Sequence, residues 1–379
     1  MNGAPSLEDR LIAVRRRPSG FDYMRITLAL MVFLVNTVQI VNGKEVDNSL
    51  LHGFGRPFVA LILPMFFALS GFLVAGSLQR CRTLVTFFGL RIMRIVPALA
   101  FETLVSALVL GPLFTTLNLG QYFSSPTFFS YFLNILGDIH YTLPGMFVSN
   151  PDPGVVNAQL WVLPRELKCY ILLGLMFWLG LVKPSRPMLL FLLVLYTLTA
   201  LYYSLAIPVK PNSPVAGDWV LILSFISGVT IYVYRFVISW SRSLFALSLF
   251  SSLVMLSVNW GWAFAPIPVG YATVYLGLTN PVRKRVISSG DYSYGIYLYG
   301  FPIQQAAVSL GSWSENWYVN IMIALPVTVL LAMASWFLVE KPLLARRPFL
   351  TTLEDRAIAG REAMHASLVA WVRRSLSND

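Results

Sequence analysis

Apolar stretches of about eighteen or more residues recur along nearly the whole chain, and each is long enough to cross the hydrocarbon core of a bilayer as a helix. Only 12% of the 379 residues are charged, whereas 56% are hydrophobic. A soluble protein has about 25% charged residues, so this chain could not cover the surface of a globule of its size. The sequence therefore predicts an all-α fold, a polytopic transmembrane helical bundle.

The apolar runs predict about ten membrane spans. We place them at residues 24–41, 58–77, 96–114, 160–181, 187–206, 218–236, 243–260, 263–280, 293–311 and 317–339. The stretch FFSYFLNILGDIHY (128–141) is also apolar but short, and counting it as a span would invert every later loop. We therefore expect it to lie outside the membrane as an interfacial or re-entrant piece.

The positions of lysine and arginine predict the orientation, because cytoplasmic segments of membrane proteins are enriched in both. With the N-terminus inside, 23 of the 28 basic residues fall on inner segments. The five on the outer side are Lys44, Arg56, Arg165, Lys168 and Lys210. Both termini are therefore predicted to be cytoplasmic. The basic charge is explained by topology and contact with anionic lipids, and we expect no nucleic-acid partner.

Composition divides the chain into three parts. Residues 1–23 form a polar, basic cytoplasmic segment, and no small-residue cleavage site follows the first apolar run, which we interpret as an uncleaved span. Residues 24–343 form the membrane domain, with a large outer loop at 115–159. Residues 344–379 form a cytoplasmic tail whose apolar residues share one helical face, which predicts an amphipathic helix on the inner leaflet.

The two cysteines, Cys81 and Cys169, fall on a predicted inner loop and inside a predicted span. They are not expected to pair, and two cysteines alone do not form a metal site. We expect Cys169 to be a packing residue. The sequence gives no reason to expect a metal or a tightly bound cofactor.

Ionisable and amide side chains inside spans are costly, and they indicate functional sites. Arg25 and Asn36 lie eleven residues apart on the first span, on one helical face and about 16 Å apart. One interpretation is structural: Arg25 extends to the interface, and Asn36 makes an interhelical hydrogen bond. The other is that both belong to a functional site.

A second polar stripe lies in LRIMRIVPALAFE, where Arg91, Arg94 and Glu102 share one helical face. Pro97 is expected in the first turn of this span, where its missing N–H costs little. The arginines are either ordinary inner-side residues, with an Arg94–Glu102 contact along the helix, or a cytoplasmic mouth that binds a phosphate-rich ligand.

A third group lies in NAQLWVLPRELKCY, at the outer end of the fourth span. Trp161 fits the aromatic belt at the membrane interface, and the neighbouring basic residues can extend to the same level. Glu166 lies about one and a half turns further along the helix, where a carboxylate is costly, so we predict a functional role for it. Gln159 precedes them in the same polar cluster.

Six stretches, in order, carry a family resemblance: GFDYMRITLALMVFLVN, PMFFALSGFLVAGS, LRIMRIVPAL, LWVLPRELKCY, DYSYGIYLYGFPIQQ and WFLVEKPL. Together they resemble the integral-membrane acyltransferase 3 family, whose members modify bacterial surface polysaccharides, lipopolysaccharide and lipo-oligosaccharide signals. The resemblance covers about residues 20–343. The residues that it carries over are Ser70, Gly71, Arg91, Arg94, Leu160, Trp161, Glu166, Tyr170, Glu340, Lys341 and Pro342.

The chain departs from the family pattern at Asn36, where the family has a histidine that could act as general base. Asparagine does not titrate usefully. Three explanations stay open: a divergent homologue that binds but barely transfers, an active subtype that uses Glu166 or His140 instead, or a deliberate replacement that keeps the shape. Gly300 is a second departure, where many relatives place another histidine.

The resemblance implies a multi-pass enzyme of the bacterial inner membrane that transfers an acetyl or other short acyl group. The implied donor is acyl-CoA, with acetyl-CoA expected, and the implied acceptor is a hydroxyl of a surface glycan or glycolipid. Position 36 and Glu166 would be catalytic. The residues expected to bind substrate are Arg25, Ser70, Arg91, Arg94, Glu102, Gln159, Trp161 and Tyr170. The alternative is a non-catalytic homologue that binds or exports glycans, which Asn36 favours.

Overall fold

A computed structural model of the chain describes residues 4–15, 18–51, 55–205, 217–284 and 289–350, together with Thr352, residues 354–356 and Ala359. Throughout these residues the regular structure is helical, and β-type pairing is limited to two isolated bridges. The all-helical fold class is as the apolar runs predict. The α-helices are α1 (Leu7–Ala13), α2 (Gly20–Leu51), α3 (Arg56–Leu78), α4 (Leu84–Val105), α5 (Gly111–Phe114), α6 (Leu119–Ser124), α7 (Pro126–Tyr131), α8 (Leu163–Trp178), α9 (Arg186–Leu205), α10 (Asp218–Val233), α11 (Arg242–Ser257), α12 (Pro266–Gly277), α13 (Ser293–Val308), α14 (Trp317–Ser335) and α15 (Lys341–Leu344).

Each of the predicted spans overlaps with one of these helices. Among the residues that the structure describes, four helical stretches are long and apolar enough to cross a membrane by length and composition, namely Gly20–Gly43, Arg56–Leu78, Leu84–Phe114 and Trp317–Arg356. Three shorter apolar helices are Arg186–Tyr202, Asp218–Val233 and Arg242–Ser257. The total of ten spans and the cytoplasmic position of both termini stay predictions.

The third predicted span begins twelve residues earlier than expected, at Leu84 instead of residue 96. Thr83 caps this helix, because its side chain accepts a hydrogen bond from the Thr86 N–H at 3.3 Å. Pro97 is therefore well inside α4, and the expectation that it lies in the first turn was wrong. α4 continues into a π-helical turn at Ser106–Leu110, and such turns are often found at functional sites.

α3 and α10 pack with their backbones in close contact. A Cβ added at Gly71 of α3 would lie 2.0 Å from the Phe225 carbonyl oxygen. A Cβ at Gly228 of α10 would likewise lie 2.0 Å from the Ala68 carbonyl oxygen. Small residues facing each other in this way let membrane helices approach closely, and the pair fixes α3 beside the cavity described below.

The loop at 115–159 is compact. α6 and α7 are six residues each, and a 3₁₀ turn at Phe132–Leu136 ends at Gly137, which is left-handed with φ 88°. These pieces are too short to cross a bilayer. Tyr122 is fully buried and donates a hydrogen bond to the Ala107 carbonyl at 2.8 Å, so the loop packs onto the end of α4.

The N-terminal segment is docked on the loop that follows α10. Arg235 donates a hydrogen bond from Nε to Glu8 Oε2 at 2.6 Å, and both side chains are buried. The backbone N–H of Trp240 donates to the Pro5 carbonyl at 2.7 Å. These contacts place residues 5–8 beside the end of α10.

Several predictions concern residues outside the described ones. The amphipathic helix predicted for the tail lies there, apart from isolated positions such as Asp355, whose Oδ1 accepts from Arg82 Nη1 at 2.8 Å. The same holds for His52, Lys210 and the side chain of Lys44.

Candidate active site

A cavity of about 160 Å³ lies between α2, α3, α4, α8 and α13. Its floor and walls combine charged groups with aromatic and aliphatic side chains. Six of the residues predicted from the sequence line this one cavity: Arg25, Ser70, Arg91, Arg94, Glu166 and Tyr170.

Asp291 joins two of the predicted arginines at one end of the cavity. Its Oδ2 accepts hydrogen bonds from Arg94 Nη2 at 2.7 Å and from Arg25 Nη1 at 3.0 Å. Its Oδ1 accepts from Ser293 Oγ at 2.6 Å. Burial by itself would raise the pKa of Asp291, but the two guanidinium groups and Ser293 lower it to about 2.

Arg94 has a second carboxylate partner. Its Nη1 lies 3.4 Å from Glu340 Oε2, and Glu340 is almost fully buried at the end of a π-helical turn, Trp336–Glu340. Glu340 also accepts from Ser335 Oγ at 3.0 Å. The Arg94–Glu102 contact considered as a structural alternative is not formed, because Arg94 turns across the bundle to Asp291 and Glu340.

Asp291 was not among the residues selected from the sequence. It is the first residue of the family-like stretch DYSYGIYLYG, directly before α13. The sequence feature that could have identified Asp291 is the position of a carboxylate between a basic loop and an apolar span. Its partners on α2 and α4 could not be inferred, because they are about 200 residues or more away in the chain.

Arg91 differs from its two neighbours in the cavity. Its Nη2 donates to Ser77 Oγ at 3.1 Å, and its Nε is buried without a hydrogen-bond partner. In the part of the chain that the structure describes, no carboxylate oxygen lies within 4.0 Å of Arg91. Its guanidinium is 6.0 Å from the ring centroids of Tyr170 and Phe87. Arg91 therefore faces the cavity as a cation that forms no direct ion pair among the described residues, although Glu166 lines the same cavity.

Glu166 and Tyr170 lie one turn apart on α8, and the Tyr170 hydroxyl donates a hydrogen bond to Glu166 Oε1. Tyr294 and Tyr297 of α13 line the opposite wall. The Tyr294 hydroxyl is buried without a hydrogen-bond partner within the described residues. The cavity thus places a carboxylate and aromatic hydroxyls next to cations.

Asn36 does not line this cavity. It lies eleven residues beyond Arg25 on α2, half-buried, and its Nδ2 is a buried atom without a hydrogen-bond partner in the described chain. Gly300 faces the same helix, since a Cβ there would lie 3.0 Å from Phe33 Cδ2. A bulky side chain at position 300 would therefore displace Phe33, which is fully buried.

The other predicted residues lie outside the cavity. Glu102 is fully buried on α4, and Gln159 is buried in a 3₁₀ turn at Ala158–Val162. Trp161 is partly buried and lies under the Arg165 guanidinium, 5.1 Å from its ring centroid. Arg165 donates from Nε to Asp218 Oδ1 at 3.0 Å, so it is occupied away from the cavity.

The remaining candidate groups are dispersed. His140 is on the loop at 115–159, with its Nε2 3.4 Å from Asp138 Oδ2. Cys81 and Cys169 are both unpaired, and Cys169 is fully buried. Burial raises the pKa of the Cys81 thiol. Within the described ranges, no group of three or more His, Cys, Asp or Glu residues could hold a metal ion.

The helical fold and the cavity define a class, a helical membrane protein with a charged cavity inside its bundle. The family model described as "Acyltransferase domain" matches residues 19–340, and the chain belongs to this acyltransferase 3 family. This agrees with the resemblance seen in the six sequence stretches.

Two similar proteins cover nearly the whole length of the chain. A protein named O-acetyl transferase from Shigella phage Sf6 is 28% identical over 348 residues, which are 86% of this chain and 96% of that protein. Nodulation protein 10 of Rhizobium leguminosarum bv. viciae is 27% identical over 361 residues, which are 87% of this chain and 94% of that protein. No solved structure matches the chain.

Proposed function

We propose that the chain is a membrane O-acyltransferase that moves an acetyl or other short acyl group from acyl-CoA to a hydroxyl of a surface glycan or glycolipid. Membership of the acyltransferase family and the name of the phage relative support this reaction class. The observation that carries the proposal is the single cavity in which Arg25, Arg91, Arg94 and Glu166 come together.

The donor would enter from the cytoplasm at the arginine end of the cavity. Arg91, which forms no ion pair with a carboxylate among the described residues, would bind a phosphate of the CoA moiety through charge-assisted hydrogen bonds. Arg25 and Arg94, held by Asp291, would provide further positive potential. The thioester end would extend along the aromatic wall formed by Tyr294 and Tyr297.

The acceptor would arrive from the outer side, where the loop at 115–159 would help to select it. In this scheme the enzyme is a multi-pass protein of the bacterial cytoplasmic membrane, with both termini inside. Acyl-CoA would be held as a substrate through contacts between arginine side chains and its phosphates. The scheme therefore requires no tightly bound cofactor.

Position 36 would be the base site of the family, and Asn36 cannot take up a proton. Loss of a general base typically slows a reaction by about 10²–10⁴-fold. Glu166 would orient the base, receive a proton or bind the sugar, and its contact with Tyr170 would fix its carboxylate.

The alternative function is a homologue that binds or exports glycans without acyl transfer. Asn36 is the residue that favours it. The Arg91 guanidinium, which lines the cavity, counts against this alternative, because an exporter has no need for a cytoplasmic anion site.

The experiment that tests the proposal is transfer of labelled acetyl from acetyl-CoA in membrane vesicles of the native host, from which its own copy has been deleted. The unmodified chain is compared with Asn36→His and Glu166→Gln. We expect transfer to rise in Asn36→His and to fall in Glu166→Gln. A chain that neither binds acetyl-CoA nor transfers the label would instead support the binding or export function.

A further inference from the structure

A second buried polar cluster lies beyond the cavity, around Glu102 of α4. Its Oε1 accepts three hydrogen bonds, from Ser106 Oγ at 2.9 Å, Asn157 Nδ2 at 3.0 Å and the Tyr131 hydroxyl at 3.4 Å. Ser106 is the first residue of the π-helical turn, and Tyr131 belongs to the outer loop. Three elements therefore hold one carboxylate oxygen in a fixed position.

A chain of hydrogen bonds connects this cluster to the cavity. Tyr297, which lines the cavity, donates from its hydroxyl to the Gln159 carbonyl at 2.9 Å. The Gln159 N–H donates to Asn157 Oδ1 at 3.2 Å, and Asn157 donates to Glu102. Asn157 also donates to the Leu298 carbonyl of α13 at 3.0 Å. The cluster is thus the next polar layer beyond the aromatic wall.

Polar atoms in this layer lack partners. Glu102 Oε2 is buried without a hydrogen bond within the described residues, although Glu102 is fully buried. Nε2 and Oε1 of the Gln159 side chain are also buried without a hydrogen-bond partner within the described residues, and Gln159 is only 4% exposed. Burying such groups unsatisfied is costly, so a purely structural role does not explain them. They can accept and donate hydrogen bonds to a hydroxyl-bearing ligand that enters this layer from the cavity past Tyr297, since neither Glu102 nor Gln159 lines the cavity itself.

The cluster lies at about the depth of Asn36. α2 and α4 both run along α13 away from Asp291, because Tyr299 donates to the Ala98 carbonyl at 3.2 Å and Gln304 donates to the Phe33 carbonyl at 3.0 Å. Glu102 lies eight residues, about 12 Å, beyond Arg94, and Asn36 lies about 16 Å beyond Arg25. The two positions are therefore about one helical turn apart in depth.

We propose that Glu102 is the general base of this chain and fulfils the role for which Asn36 is unsuited. The proposal rests on the proposed acyl transfer. The acceptor oxygen attacks the thioester carbonyl carbon, the C–O bond forms and the C–S bond breaks. The hydroxyl proton passes to Glu102 Oε2, and the departing CoA thiolate then takes it up, so that the carboxylate is restored.

Glu166 is less suited to this step. Its Oε1 already accepts the Tyr170 hydroxyl, and it shares the cavity with Arg25, Arg91 and Arg94. The Tyr170 hydroxyl therefore occupies one of the two oxygens with which Glu166 could take up a proton. No arginine or lysine donates a hydrogen bond to Glu102 among the residues that the structure describes.

The test is the variant Glu102→Gln, which keeps an Oε1 acceptor for all three donors and removes only the ionisable oxygen. Transfer of labelled acetyl to the glycan is measured in the host vesicles described above, and binding of acetyl-CoA is measured in parallel. We expect transfer to fall about 10²–10⁴-fold while the acetyl-CoA dissociation constant stays within about twofold. Asp22→Asn, which removes a carboxylate paired with Arg283, is the matched control.

A second substitution separates a catalytic from a structural role. Asn36→His placed in the Glu102→Gln chain supplies a new titratable group, and we expect it to restore part of the lost transfer. A failure of packing at position 102 would not be repaired in this way. Should Glu102→Gln not fold, Glu102→Asp keeps the charge but withdraws the oxygens by about one bond length, and transfer should again fall with donor binding unchanged.

Transfer by Glu102→Gln or by a folded Glu102→Asp at the unmodified rate would overturn the role of Glu102 and leave the proposed function standing. Lost donor binding in both variants, or no recovery with Asn36→His, would also overturn it. An unmodified chain that transfers no acetyl would overturn both proposals.

Discussion

Arg91 and Arg94 lie one turn apart on α4, yet they are in different electrostatic situations. Arg94 is neutralised by Asp291 and Glu340, whereas within the described chain the hydrogen-bond acceptor of Arg91 is Ser77 Oγ, a neutral group. An incoming phosphate would have to compete with carboxylates at Arg94 but not at Arg91. Charge-assisted hydrogen bonds contribute about 1.5–3 kcal/mol each, so in the proposed reaction we expect Arg91 to be the main determinant of donor affinity.

Substitution of Arg91 by glutamine should therefore weaken acetyl-CoA binding about 10- to 100-fold. The measurement is the acetyl-CoA dissociation constant of the purified protein in detergent. Arg82→Gln is the control, because Arg82 is exposed and pairs with Asp355 outside the cavity. Equal affinities in the Arg91→Gln and Arg82→Gln variants would show that the donor binds elsewhere.

Asp291 should contribute to stability in a pH-dependent way. Its pKa is held at about 2 in the folded protein, below the usual range of about 4. A lowered pKa means that the stabilisation is complete above about pH 4 and is lost as the pH falls towards 2. The unfolding midpoint of the unmodified protein should therefore decrease over this range.

The variant Asp291→Asn should lower stability by about 1–3 kcal/mol at neutral pH, less than a fully buried pair, because the three side chains involved are 23–31% exposed. Its midpoint should change less between pH 4 and pH 2 than that of the unmodified chain. Thermal unfolding followed by circular dichroism measures both. Parallel pH curves for the two proteins would exclude the ion-pair explanation.

At the residue scale, the sequence indicated residues that line the cavity better than it indicated their hydrogen-bond partners. Arg25, Ser70, Arg91, Arg94, Glu166 and Tyr170 were selected from spacing and resemblance, and one cavity contains them all. Periodicity indicates which residues share a helical face, but it does not give contacts between helices. Asp291 and the hydrogen-bond partners of Glu102 were missed for that reason.

The existence of the helices could be predicted from the sequence, but the start of α4 could not. The apolar run of the third span is interrupted by Arg91 and Arg94, so the span was placed after them, while α4 begins at Leu84. The helix tolerates both arginines inside it because they face the cavity instead of lipid. The Thr83 cap and the tertiary contacts of these two side chains together explain the longer helix.

The glycine contact between α3 and α10 gives a prediction for a pair of elements. Gly71→Ala would place a Cβ 2.0 Å from the Phe225 carbonyl oxygen, so the helices would have to separate. We expect a loss of about 1–3 kcal/mol in stability and lower donor affinity, because α3 lines the cavity. Gly55→Ala is the control, since no atom lies within 4 Å of a Cβ at Gly55. The same unfolding midpoint for both variants would contradict this packing.

The arrangement of the whole molecule across the membrane is predicted from charge alone. The split of 23 basic residues to five assigns the loop at 115–159 to the outer side and both termini to the cytoplasm. The structure gives helices at all the predicted spans, but a membrane is needed to decide which side each loop faces.

Single cysteines can decide this. After replacement of Cys81 and Cys169, a cysteine is introduced either at Gln121 in the loop at 115–159 or at Gln79 after α3, both of which are exposed positions. A membrane-impermeant maleimide should label position 121 in intact spheroplasts and position 79 only after permeabilisation. The reverse pattern would invert the topology and place the arginine end of the cavity outside.

The most direct test of acyl transfer is to measure two products of one reaction in host vesicles supplied with labelled acetyl-CoA. Free CoA and alkali-labile acetyl label in the glycan fraction are quantified together, with and without the chain. An O-acyltransferase should produce the two in equal amounts, and both should fall together in Arg91→Gln at an acetyl-CoA concentration below saturation. Release of CoA without labelled glycan, or binding of acetyl-CoA without either product, would contradict acyl transfer as the function of this protein.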